Sequence, residues 1–384
     1  MMRSAWIQRT GRLTGPGVVA LLAVGILTSS TLGAREHPWS PAICAGPARP
    51  ASTDLSWFRI DPVLDATGGL ASQRLVVGRT GGAGRRTLEL APESFAAGPF
   101  EDVVLVGTDD GTESQLVALD VVAGCATTLD ESTDIIRRAT LTPDRRSIVE
   151  FRLDRRTRAD LGIWVKPLGP GAAATRALAP IEADDRFGRT WSTELLWSGD
   201  GADLAVQSCG ESACRTRVFT PGTDRLHMVD DLDIGPAIGL ADGRLVAYLA
   251  CRGLPCPVVA VNVADGTRRI LAAEARAAVL VATARGPRLI HEATAGDHRR
   301  LWSIPVEGGT PQDLGELAAG LGLAGDAARS GSATATPPGW ILLAPEGRLP
   351  LGAVGIAPVL RNVLDGRTST LDPAFDPAID EVPR

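Results

Sequence analysis

From about residue 100 onward, the hydrophobic and polar positions of this chain repeat one phrase. A turn containing Asp or Gly leads into a short apolar strand. A polar loop, a second apolar strand, a Gly-containing turn and a third strand follow. The opening turn reads TPDRR at 142–146, SGDGA at 198–202, ADGR at 241–244 and ARGPR at 284–288. The strand after it is SIVEF, DLAVQS, RLVAY or RLIHE, and the next is GIWVKPL, RTRVFTP, VVAVNV or LWSIPV. Asp-Gly and Gly-Gly pairs supply the positive φ of tight turns, and Val, Ile, Leu and Thr suit a pleated, buried surface. Helix-period sequence is confined to PQDLGELAAGLGLAGDAARSG at 311–331, which reads as a short helix or as a flexible insertion over 311–335.

Four-stranded units repeating every forty to fifty residues or so predict β-propeller blades, because one such sheet cannot bury both its faces alone. The units resemble the bacterial PD40, or TolB-like, propeller repeat, whose signature is Ser-Pro-Asp-Gly, an apolar strand, an aromatic-bearing strand and a Gly-Gly turn. TPDRRSIVEF with GIWVKPLGPG, and ARGPRLIHEATAGDHRRLWSIPVEGG, carry the resemblance. Asp144, Asp200 and Asp242 sit at the turns, and Trp164, Phe219 and Trp302 hold the aromatic place. Arg145 stands where the motif has Gly, and Gly199 where it has Pro. The resemblance spans roughly 100–370 and implies a fold rather than an activity, since the motif encodes turns and packing.

Apolar strands starting near Leu75, Val103, Ile148, Leu204, Leu245, Leu289 and Ile341 indicate seven blades. Six is the alternative, because the interval from 75 to 103 is short for a complete unit. In that case the first strands complete the last blade and the two chain ends pair. The expectation is an all-β propeller of four-stranded blades over 56–378, with a tail at 379–384.

Two clips, SCGESACR and ACRGLPCP, place Cys209/Cys214 and Cys251/Cys256 at one point of consecutive repeats, the loop joining second and third strands. A four-residue hairpin brings its flanking positions within disulfide reach. The expected pairs are 209–214 and 251–256, and by elimination Cys44 with Cys125. A zinc site made by the four clip cysteines is the competing reading. A redox couple fits less well, since that motif has two intervening residues.

The N-terminus changes the compartment. Arg3, Arg9 and Arg12 precede the apolar run VVALLAVGIL at 18–27 and small residues up to Ala34. Residues 1–34 thus read as a secretory signal peptide or an uncleaved membrane anchor. Residues 35–55 are rich in Pro, Ala and Ser and read as a tether. Either reading puts the remainder outside the cytoplasm, secreted or anchored, where disulfides persist. The net charge is −6 and the pI about 5.4, without a dense basic run, which argues against nucleic acid as a partner.

Several short motifs lack the context their chemistry needs. GLGLAG at 320–325 does not sit between a strand and a helix in a βαβ unit, as dinucleotide binding requires. GESAC at 210–214 lies in a hairpin rather than at a strand–turn–helix elbow. TDDGTES at 108–114 and DDLDIG at 230–235 lack the spacing of a calcium loop. His291 reads as a strand residue and His298 as a loop residue. No catalytic residue, cofactor or metal site is therefore assigned.

The loops TDDGTES, DRRTRAD, CGESAC, CRGLPC and TAGDHRR should share one face of the disc, where recognition residues commonly sit. The residues expected to meet a protein partner are Asp109, Asp110, Arg155, Arg156, Asp297, His298 and Arg299. The functional expectation is an exported, monomeric, non-catalytic binding or scaffolding module. The alternatives are a propeller lyase or lactonase with His, Asp and Glu around the channel, and a sensor ectodomain on a membrane anchor.

Overall fold

The computed structural model describes residues 56–370, apart from 80–85, 101, 170, 181–191, 211–213, 232, 252, 325–331, 335–337 and 346–358. The expected leader, tether, Cys44 and tail lie outside the described residues.

The described strands form seven four-stranded antiparallel sheets. Blade three shows the plan. Its inner strand Ile135–Leu141 is followed outward by Ser147–Leu153, Asp160–Pro167 and Thr175–Leu178, each paired with the next. Blades two, four, five and six repeat this order, at Phe95–Ser132, Ser192–Val229, Ile234–Ala275 and Ala277–Glu316.

Side chains alternate across each strand, so each sheet serves two interfaces. Ile148 packs against blade two, while its neighbour Val149 packs against blade four. Seven clusters of buried apolar side chains result, one between every pair of adjacent blades. The cluster holding Val76, Leu342 and Leu360 joins blade seven to blade one and closes the ring.

Closure differs from pairing of the two chain ends. Among the described residues, blade one has three consecutive strands, Ser56–Leu64, Leu70–Arg79 and Arg86–Leu90, none of which is its inner strand. That place is taken by Ser332–Thr334, which pairs with Trp57–Arg59. The donor leaves blade seven between its inner strand Leu321–Leu323 and its second strand Trp340–Pro345. A late strand thus completes the first blade. Leu75 lies on the third strand of blade one rather than the second, which explains the short interval to Val103. Seven blades hold.

The reading of 311–335 as a helix or insertion is corrected. Gln312–Glu316 is the outer strand of blade six, Leu321–Leu323 the inner strand of blade seven, and Ser332–Thr334 the closing strand. The spacing of Leu314, Leu317 and Leu321 imitates a helical face. These leucines instead reach one cluster from successive strands and their connections.

One local feature ties blade four to blade five, and another shapes a turn of blade three. In the inner strand of blade five the register shifts between Ile234 and Ala237, around Pro236, which has no N–H to donate. Gln207 of blade four fills the gap, donating from Nε2 to Gly235 O at 3.2 Å and accepting from Ala237 N at 2.7 Å. The turn residue Arg145 holds φ at +57°, the left-handed conformation for which the motif uses Gly.

Candidate functional site

The hairpins between second and third strands emerge on one side of the disc, since the blades share one strand order and direction. They cover 110–113, 154–159, 210–213, 250–255 and 296–297 in blades two to six, and 65–69 in blade one. The five loops singled out in the sequence therefore come together.

Both clips are disulfides. Cys209 and Cys214 are direct cross-strand partners with Cα atoms 4.0 Å apart; Cys251 and Cys256 lie 6.1 Å apart. Four paired cysteines leave no thiolate for zinc, which corrects that competing reading. Cys125 is disulfide-bonded as well; its expected partner, Cys44, lies outside the described residues.

The expected contact residues divide by what they touch. Asp109 and Arg155, on neighbouring hairpins, form a two-pronged pair at 2.9 and 2.8 Å. Burial works against ionisation of Asp109, but the bonds from Arg155, Ser114 and the Gly111 amide outweigh it and hold its carboxyl at about 2. Arg155 also donates from Nε to Thr133 O at 2.7 Å. Asp110 is exposed and caps its own turn through the amides of Glu113 and Thr112 and the Thr112 hydroxyl, which lower its pKa. His298 is exposed, with Nδ1 2.8 Å from Glu316. Arg299 turns inward, and its Nε donates to the buried Glu292 at 2.7 Å. Arg156 and Asp297 are exposed. Asp110, Arg156, Asp297 and His298 thus offer outward polar groups, while Asp109, Arg155 and Arg299 are engaged within the protein.

A second polar group was not singled out from the sequence. Between blades two and three, Arg152 Nη2 lies 2.6 Å from Asp130 Oδ2 and 2.5 Å from Glu150 Oε2. Its guanidinium also lies over the Trp164 ring, 5.1 Å from the centroid. Lys166 pairs with Asp130 from the other side and donates to Leu129 O at 3.0 Å. Glu150 is fully buried, and burial raises its pKa to about 7; Arg152 pulls it down and Asp130 pushes it up. The signal was present in SIVEFRL, where Glu150 and Arg152 share one face of an apolar strand, and in Lys166, the sole lysine.

His291 is buried in blade six, and desolvation lowers its pKa to about 4. Among the described residues, no group of three or more His, Cys, Asp or Glu side chains is arranged to hold a metal ion. No helix among them is long and apolar enough to cross a membrane.

No protein-family model matches the chain, and no curated protein matches it in sequence. Solved structures do. A prolyl endopeptidase is similar at 14% identity and a TM-score of 0.50, over 83% of this chain and 51% of that one. TolB from Acinetobacter baumannii is similar at 12% identity and a TM-score of 0.42, over 66% of this chain and 61% of that one. The β-propeller domain of the trilobed protease from Pyrococcus furiosus, described as having an open velcro topology, is similar at 10% identity and a TM-score of 0.49, covering 84% of this chain and 95% of that one. The chain spans roughly half to three fifths of the endopeptidase and TolB chains. At these identities the likeness is one of fold, and the seven four-stranded sheets are those of a β-propeller.

Proposed function

We infer that the protein is an exported, non-catalytic β-propeller that binds another protein through the face carrying the second-to-third-strand hairpins. The observation that carries this reading is the pair of disulfides at equivalent hairpins of blades four and five. A loop held in one conformation loses less entropy when a partner docks, and disulfides of this kind persist in oxidising compartments. Beside the clips, Asp110, Arg156, Asp297 and His298 supply exposed groups of both charges, a surface suited to a polar protein interface.

Site-specific photo-cross-linking in the native host tests the reading. A photoreactive residue at position 156 or 297 should give one discrete protein adduct. The same residue at Arg285 or Asp365, in turns on the opposite face, should give none. Equal adducts from both faces, or none from either, would sink the assignment.

A further inference from the structure

The seven interfaces of the ring are not equally built. Among the described residues, six to twelve buried apolar residues fill each interface from blade one through to blade seven in chain order. Where blade seven meets blade one, the cluster is Val76, Leu342 and Leu360, with Trp340 packed against it. Apolar burial stabilises in proportion to the area removed from water, so this seam gains least from it.

The strands at the seam are short as well. Inner strands of blades two to six run five to eight residues, whereas Leu321–Leu323 and the closing strand Ser332–Thr334 have three each. The closing strand pairs with Trp57, Phe58 and Arg59, one third of a strand nine residues long. Both of its ends lead back to blade seven, so this pairing is a backbone tie across the seam.

Each flanking blade is better fastened on its other side. Ser56 Oγ donates to Asp102 of blade two at 2.6 Å, beside an interface of eight buried residues. Blade seven is held to blade six by Leu323 N donating to the buried Glu292 at 3.2 Å and by Gly339 N donating to Ala282 O at 2.8 Å. Ten buried residues fill that interface. When the closing strand lets go, blade one therefore stays with blade two, and blade seven with blade six.

We propose that the ring opens reversibly at the seam between blades seven and one, through release of Ser332–Thr334 from Trp57–Arg59, while the other interfaces stay closed. Opening uncovers Val76, Leu342 and Leu360 and bares the inner edge of Ser56–Leu64. Regions with few buried apolar contacts open as units, below the free energy of complete unfolding.

Thiol labelling under native conditions tests the proposal. The described cysteines are all in disulfides, so an introduced thiol is read alone. Val76→Cys and Val258→Cys each place a thiol at a position of 0% exposure, one in the seam and one between blades five and six. Val76→Cys should be labelled roughly 100-fold faster, with a weaker urea dependence, because partial opening exposes less surface than unfolding. Equal rates that both follow global unfolding would overturn the proposal. Hydrogen exchange of the unsubstituted protein gives a readout free of any variant. Amides of 332–334 and 57–59 should exchange well ahead of those of 148–153, and exchange of both sets only through global unfolding would also overturn it. Fast exchange at 332–334 with Val76→Cys unreactive would mean a strand fraying on a closed ring, and the seam would not open.

Discussion

Between blades five and six, twelve buried residues meet, most of them aliphatic, with Val246, Val258 and Leu289 fully enclosed. His291 faces the same interface, alternating with Ile290, and stays neutral. Between blades two and three, nine buried apolar residues share the space with Asp130, Glu150, Arg152 and Lys166. The two interfaces join sheets of the same plan. One relies on apolar burial, which is non-directional and loses stability in proportion to the atoms removed. The other relies on a set of charges whose members each need the others. An apolar interface degrades gradually; an ionic one fails when a single member is removed.

The comparison breaks most directly at Arg152. Arg152→Met leaves the buried Glu150 without its cation and Asp130 with Lys166 alone, and should cost about 3–5 kcal/mol in urea unfolding. Replacing Asp130, Glu150, Arg152 and Lys166 together with apolar residues of similar volume should be near neutral or stabilising. A loss below about 1 kcal/mol for Arg152→Met alone would show that water reaches the cluster. At the other interface, Leu289→Ala should cost about 2–5 kcal/mol, the upper part applying if the site cannot collapse around the cavity.

pH sharpens the contrast, because the two interfaces respond with opposite sign. His291 has a depressed folded pKa, so its neutral form stabilises the fold. That contribution is whole above 6.5 and is lost as pH falls towards about 4, a change on the order of 3 kcal/mol. Glu150 acts the other way, losing its contribution as pH rises from 4.5 to about 7. Substituting His291→Leu should flatten the acid limb of a Tm-against-pH curve and leave the neutral limb unchanged. An acid limb that stays as steep would remove His291 from the account.

Much of this architecture was legible along the chain. The turn, strand, hairpin and strand phrase marked out the blades, and the clip spacing identified both local disulfides, because hairpins, turns and short loops are made by neighbours in sequence. The residues of the hairpin face were legible as a group for the same reason. Their division into outward and inward groups was not. Asp109 and Arg155 are 46 positions apart and meet because adjacent blades set equivalent hairpins side by side. Arg299 turns inward because Glu292 waits under it on the preceding strand.

The closing strand shows the limit most clearly. Leu314, Leu317 and Leu321 have helical spacing, and nothing in that segment announces strands of three different blades. Local pattern decides which residues are apolar and where turns fall. It does not decide which sheet a three-residue strand joins. Ser332–Thr334 is held by the vacant inner edge of Ser56–Leu64, and that vacancy exists only once the ring has brought blade seven against blade one. The repeat, the strands within most blades and the local clips were thus settled along the chain, all being products of short-range geometry. Ring closure and the charge cluster between blades two and three were settled only by the folded ring, because each depends on groups brought together from distant parts of the chain.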